Sequence, residues 1–154
     1  VSFAPSSPVT GAPQTGLTSP TYTLTADTAP DSNGKQYAIT ALGGTQTGVT
    51  THAVSDPFTI TFVRPKVLKA LPLADTNGVV RSIPRNTYFF LTRKGVLPLT
   101  GQARAVMTIR TEMAIPAGAD TADSANIRAA LSCHFGTVWA ASSGIGDTTI
   151  NAVL

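Results

Sequence analysis

The hydrophobic period of the chain changes once, near residue 118, and this switch restricts the available folds more than any other feature. Before it, apolar and polar residues alternate. Phe58-Thr59-Ile60-Thr61-Phe62 alternates strictly, and so does most of Arg104 to Ile115. Both are signatures of strands with one buried face. After the switch, Ile127, Ala130, Leu131, Phe135, Val138 and Trp139 form the stripe of an amphipathic helix. Strands followed by a helix predict an α+β fold.

The remaining segments fit that order. Residues 1–20 carry Pro5, Pro8, Pro13 and Pro20 among Ser, Thr and Gly. They predict an extended arm without its own core, either a disordered tail or a strap on a neighbouring subunit. From 21 onward a single domain, 21–154, is expected. Tyr22, Leu24 and Ala26 alternate with threonines, Asp31-Ser32-Asn33-Gly34 is a turn cluster, and Gln36 to Leu42 reads as the return strand. A hairpin over 21–42, closed by Gly43-Gly44, is predicted. Sheet strands are expected within 57–115, with a turn at Asp75-Thr76-Asn77-Gly78, a strand over Asn86–Lys94 and a loop over Gly95–Gln102. Pro116 and Gly118 end the last strand. A helix is predicted over 121–142, with Asp120 and Asp123 at its positive end and Gly144 as its stop. The segment 145–154 is apolar enough to pack down.

One helix cannot cover a sheet of five or six strands. Phe135 and Trp139 would each bury about 150–250 Å², and the rest of the sheet needs another source of cover. A second subunit is the simplest one. Of 154 residues only 12% are charged, about half the usual share, and the surface is made instead of Thr, Ser, Ala and Gly. That suits a protein packed against copies of itself. It also suits a secreted or surface β-sandwich that serves as a binding or adhesion module, the alternative reading. Residues 1–20 have neither the basic nor the apolar region of a signal peptide, and no apolar run is long enough for a membrane helix, so no membrane partner is expected.

No catalytic constellation stands out, and the chain is not expected to be an enzyme. The two histidines, His52 and His134, fit no zinc-protease motif, and neither a nucleophile elbow nor a phosphate loop occurs. Cys133 and His134 are adjacent, so on a helix they point about 100° apart and do not pair as nucleophile and base. His134 is expected as a packed or interface residue, and Cys133, the lone cysteine, as a buried or half-buried thiol or else one with an intersubunit role. Helix capping accounts for Asp120 and Asp123. No metal or other cofactor is expected.

The basic residues are more informative. Arg64, Lys66, Lys69, Arg81, Arg85, Arg93, Lys94, Arg104 and Arg110 all lie between 64 and 110 with a single acid, Asp75, giving that window +8 and the rest of the chain −5. Such a concentration fits a platform for a polyanion, although a solvated sheet face would look the same by charge alone. Alternation in the last strand puts Ala105, Met107, Ile109, Thr111, Met113 and Ile115 on one side. Arg104, Val106, Thr108, Arg110, Glu112 and Ala114 fall on the other. Phe58, Ile60 and Phe62 are expected to point to the core, leaving Thr59 and Thr61 on the open side. In the preceding strand, Phe89 and Leu91 suit the core, and Tyr88, Thr92 and Lys94 the open face, where Phe90 is out of place. A sheet face of Thr, Arg, Lys and Tyr can contact phosphates and stack on unpaired bases.

The run Asn86-Thr87-Tyr88 through Thr92-Arg93-Lys94-Gly95-Val96, a Pro- and Gly-containing loop, and a long strand ending Ile115-Pro116-Ala117-Gly118-Ala119-Asp120 resembles the coat proteins of single-stranded RNA phages, the leviviruses. The helix that follows and the ending Gly144-Ile145-Gly146-Asp147-Thr148 to Val153-Leu154 fit as well. The match is carried by segment order over 86–154 and is looser over 21–85. The Pro-rich first twenty residues depart from the compact members. The resemblance implies an N-terminal hairpin, a five-stranded antiparallel sheet, and C-terminal helices that cross onto a partner, with Ile127, Leu131, His134, Phe135, Val138 and Trp139 in the dimer core. It implies homodimers that close an icosahedral shell of T=3 type, single-stranded RNA bound on the inner sheet face, and a minor maturation protein as a further partner. It places the protein in a virion assembled in the bacterial cytoplasm. Thr108, Arg110 and Glu112 match the RNA-reading positions of the last strand, Thr59 and Thr61 a hydroxyl pair on an earlier one, and Tyr88, Thr92, Lys94 and Arg104 complete the expected face. The loop 95–102 matches the one that surrounds the shell's symmetry axes.

Overall fold

The structure, a computed structural model, describes residues 2–154. Six strands form one antiparallel meander in chain order: β1 (Val9–Thr10), β2 (Thr18–Asp27), β3 (Gly34–Thr45), β4 (Phe58–Val63), β5 (Arg85–Val96) and β6 (Ala105–Pro116). Three helices follow, α1 (Ala119–Ala122), α2 (Ser124–Ala140) and α3 (Ser142–Asn151). The α+β order expected from the period switch is present. The hairpin, however, is continuous with the sheet, because β3 pairs with β4 through Gly34–Val63 to Ala38–Thr59.

The hairpin is longer than the alternation predicts. Gly43 and Gly44 do not close it but lie inside β3, opposite the start of β2. A Cβ on Gly43 would collide with the Thr21 hydroxyl, and Gly44 adopts φ 69° against the backbone of Thr18 and Ser19. The two glycines therefore permit close strand approach at a bulge.

The helix expected over 121–142 is divided. Asp123 leaves helical geometry (φ −147°, ψ 52°) and its carboxylate accepts from the Asn126 backbone N–H, so it caps α2 and separates it from the single turn of α1. Ala141 makes a second break. Gly144 does not stop the helix; it lies within α3, which continues to Asn151 and ends on left-handed Ala152 (φ 56°). The packed-down terminal segment is thus largely helical.

The arm is not a free tail. It lies on its own subunit. Val9 and Thr10 pair with Tyr22 and Thr21, and the Ser7 hydroxyl accepts from Leu24 N–H at 3.0 Å. The Phe3 ring sits 5.1 Å from Phe62, 5.8 Å from Phe90 and 5.9 Å from Tyr37. Further along, Gln14 donates to the Ser142 carbonyl and hydroxyl oxygens, and Thr15 donates to Asp147.

The apolar interior is small. Leu24, Ala38, Ile39 and Ala117 are the buried hydrophobic residues among those described. No apolar residue of α1, α2 or α3 is buried, and Phe135, Val138 and Trp139 are each about half exposed.

Candidate nucleic-acid interface

Directly opposed residues of an antiparallel pair project to the same side, so the register sorts the sheet into two faces. Gln36 opposes Thr61, Thr61 opposes Leu91, and Leu91 opposes Arg110; likewise Ala38, Thr59, Arg93 and Thr108 form a row. This is the threonine face, on which Phe89 and Glu112 also lie. The other face carries Tyr37, Ile60, Thr92 and Ile109 in one row, and Lys35, Phe62, Phe90 and Thr111 in the next. Phe3 of the arm packs on this aromatic face.

The structure brings together Thr59, Thr61, Thr108, Arg110 and Glu112. It does not bring Tyr88, Thr92 and Lys94 to them, because β5 is offset by one residue from the expected facing. Tyr88 stacks on Phe62 at 6.3 Å on the aromatic face, and Phe90, out of place on an open side, is covered by Phe3. The strand itself could not reveal this. Tyr88 and Phe90 make one side apolar and Phe89 and Leu91 the other, so alternation is silent and only pairing with β4 decides. Arg93 and Phe89 were missed for the same reason.

Arg104 also leaves the set. It precedes β6, and its Nε lies 3.3 Å from Asp56 Oδ2 while Lys94 Nζ lies 2.7 Å from Asp56 Oδ1. Lys94 also donates to the Thr50 hydroxyl at 2.9 Å, and Thr50 donates to Asp56. Burial works to raise the Asp56 pKa, but the hydrogen bonds from Lys94 and Thr50 and the charges of Lys94 and Arg104 hold it below its usual value. Two bases expected to face an external anion instead share an internal one, at the base of the β5–β6 loop.

On the threonine face, Thr59 and Thr61 are buried between their longer neighbours. Thr61 donates to Gln36 Oε1 at 2.9 Å; the Thr59 hydroxyl has no partner. The Arg110 guanidinium lies 3.8 Å over the Phe89 ring and 3.5 Å from Glu112, with Arg110 half exposed. A hollow of about 320 Å³, lined by Gln36, Thr61, Leu91 and Arg93 with Ala29, Pro30 and Asp31 at its rim, opens beside them. The result is a shallow polar surface with an apolar floor and two cationic forks. It has the donors to meet phosphate and flat apolar area to meet bases, and it holds no nucleophile–base pair. Among the described residues no group of three His, Cys, Asp or Glu side chains is placed to hold a metal ion.

The helix residues form a second surface. A groove of about 410 Å³ separates β6 from α2, lined by Met113, Ile115, Ile127, Ala130, Leu131 and His134 among others. His134 is exposed in the single chain, its ring 5.3 Å from Phe135. Cys133 is exposed rather than buried. The outer edge of β6 has no strand partner.

A meander whose long last strand leaves its outer edge unpaired, with an unfilled groove and a helix layer that buries none of its large side chains, is the subunit of a larger assembly. The chain aligns over 99% of its length, and over all of the other, with a virus-like particle protein of bacteriophage ESE020, at 59% identity and a TM-score of 0.97. It belongs to the coat proteins of levivirus-like single-stranded RNA bacteriophages, and its role is that of a structural capsid protein of the virion. A virus-like particle protein of Wenzhou levi-like virus 4 aligns over 80% of this chain and 74% of its own, at 18% identity and a TM-score of 0.43, too loosely to add to that. No protein-family model and no curated protein matches the chain.

Proposed function

We propose that this coat protein pairs with a second copy through β6 and α2, that the dimers close the shell, and that single-stranded RNA is packaged against the threonine face. The observation that supports RNA binding most directly is the β4–β5–β6 register, which collects Arg93, Thr108 and Arg110 beside the buried Thr59 and Thr61 on one side while Phe3 of the arm, Tyr37, Phe62, Tyr88 and Phe90 occupy the other. Arg93 and Arg110 supply phosphate contacts, Thr108 a small donor, and Phe89 and Leu91 apolar surface for unstacked bases. Glu112 restrains Arg110 and excludes close phosphate approach at its own position. For pairing, a partner helix across β6 would fill the groove and cover Met107 and Ile109, which are exposed in the single chain.

Expression of the chain alone should give RNA-containing particles by electron microscopy and absorbance ratio. Arg93→Ala combined with Arg110→Ala should lower RNA content and flatten its salt dependence, by a slope of roughly 0.7 per lost phosphate contact, while particles still form. Unaltered RNA content and salt dependence would count decisively against this choice of face.

A further inference from the structure

Between β4 and β5 the chain runs through residues 64–84 without a helix or strand. Loops of this length inside a compact domain are uncommon and usually functional. This one is held in a defined shape. Asn33 and Arg64 exchange two hydrogen bonds, Arg64 N–H to Asn33 O at 3.1 Å and Asn33 Nδ2 to Arg64 O at 2.5 Å. Lys69 and Asn86 exchange two more, at 2.8 and 3.1 Å. Leu71 lies over Gly118. The tip is closed by Asp75, which accepts from Asn77 and Val79 N–H and pairs with Arg81 at 3.0 Å.

What the loop displays is apolar. Val67, Leu68, Leu73, Val79 and Ile83 are all exposed, Leu73 at 97% and Val67 at 79%. A fixed loop that holds aliphatic side chains in water is an interaction surface. Its charge indicates the partner. Four bases, Arg64, Lys66, Lys69 and Arg81, against Asp75 give the loop +3, whereas residues 1–63 carry Lys35 against Asp27, Asp31 and Asp56, and residues 119–154 carry Arg128 against Asp120, Asp123 and Asp147, −2 in each case. On a second copy those two segments, unlike its residues 85–118 at +4, offer the loop the opposite sign of charge. The surface also adjoins the dimer groove, since the cleft at the loop's base, lined by Leu68 and Lys69, shares Ile115 and Pro116 with it.

We infer that loop 64–84 is a contact between dimers, docking its Val67–Leu73 and Val79–Ile83 arms on a neighbouring copy of this chain as the shell closes. The inference rests on the coat reading, and wild-type protein is the control that separates the two, since absence of wild-type particles is a failure of that reading instead. Leu73→Asp should leave the subunit folded by circular dichroism and dimeric by sedimentation, while the particle fraction falls at least tenfold. Wild-type particle yield and heat resistance in the variant would overturn the inference, and so would monomers, which would assign the loop to the dimer seam. Hydrogen exchange gives a readout that needs no variant: amides of 66–74 should be slowed in intact wild-type particles relative to dissociated dimers, and equal exchange in the two would also overturn it.

Discussion

The two ends of the sheet satisfy their apolar residues differently. At the β2–β3 end, Leu24, Ala38 and Ile39 are buried by the same chain, and the arm brings Phe3 to cover Tyr37, Phe62 and Phe90. At the β6 end, Met107 and Ile109 are open, and Phe135, Val138 and Trp139 are half exposed on a helix that encloses nothing. The first region is a small self-contained core. The second is left without cover by this chain, and in the proposed dimer its complement is on another molecule. A coat subunit built this way acquires a stable local fold from one end and leaves the other end to association.

That contrast can be broken at either end. The largest expected effect is at Ile39, which is fully buried. Ile39→Ala should cost about 2–5 kcal/mol, with an unfolding midpoint that falls equally at all protein concentrations. Trp139→Ala should cost about 2–4 kcal/mol, but only in association: the loss should appear as a steeper concentration dependence of sedimentation, with little change in the circular dichroism of the separated subunit. A concentration-independent loss for Trp139→Ala would erase the distinction between the two regions. Asp56 tests the ground between them. Asp56→Asn strands Lys94 and Arg104 and should cost about 2–3 kcal/mol, read in urea unfolding at neutral pH. Because the folded carboxyl titrates below its unfolded value, its contribution is complete above the ordinary carboxylate pKa and lost as pH falls through the lowered one. The wild-type protein should therefore lose stability more steeply than Asp56→Asn over that acidic interval.

The sequence made parts of this legible for identifiable reasons. β4 alternates strictly over Phe58–Phe62 and β6 over most of its length, so their faces could be read directly, and Thr59, Thr61, Thr108, Arg110 and Glu112 do share a side. The need for outside cover followed from the ratio of strands to helix, and the half-exposed Trp139 is its physical expression. β5 was opaque because both of its sides are apolar, which shifted Tyr88, Thr92 and Lys94 to the wrong face and hid Arg93. Arg104 was misplaced because its partner, Asp56, is distant in sequence and alternation says nothing about ion pairs. The arm was read as coreless because prolines obscure periodicity; its anchor is one aromatic residue, Phe3, whose partners lie on three different strands.

The arm's far end has a topological consequence. Gln14 and Thr15 grip Ser142 and Asp147, so residues near the two ends of the chain are clasped and the polypeptide becomes a ring closed without a covalent bond. Closing such a ring costs entropy that grows only with the logarithm of its circumference, about 0.6 kcal/mol for each doubling, so three hydrogen bonds can hold it. The clasp ties residues 14–15 of the arm directly to α3. A displacement of α3 toward a neighbouring molecule would therefore have to break these bonds or carry the arm along with it.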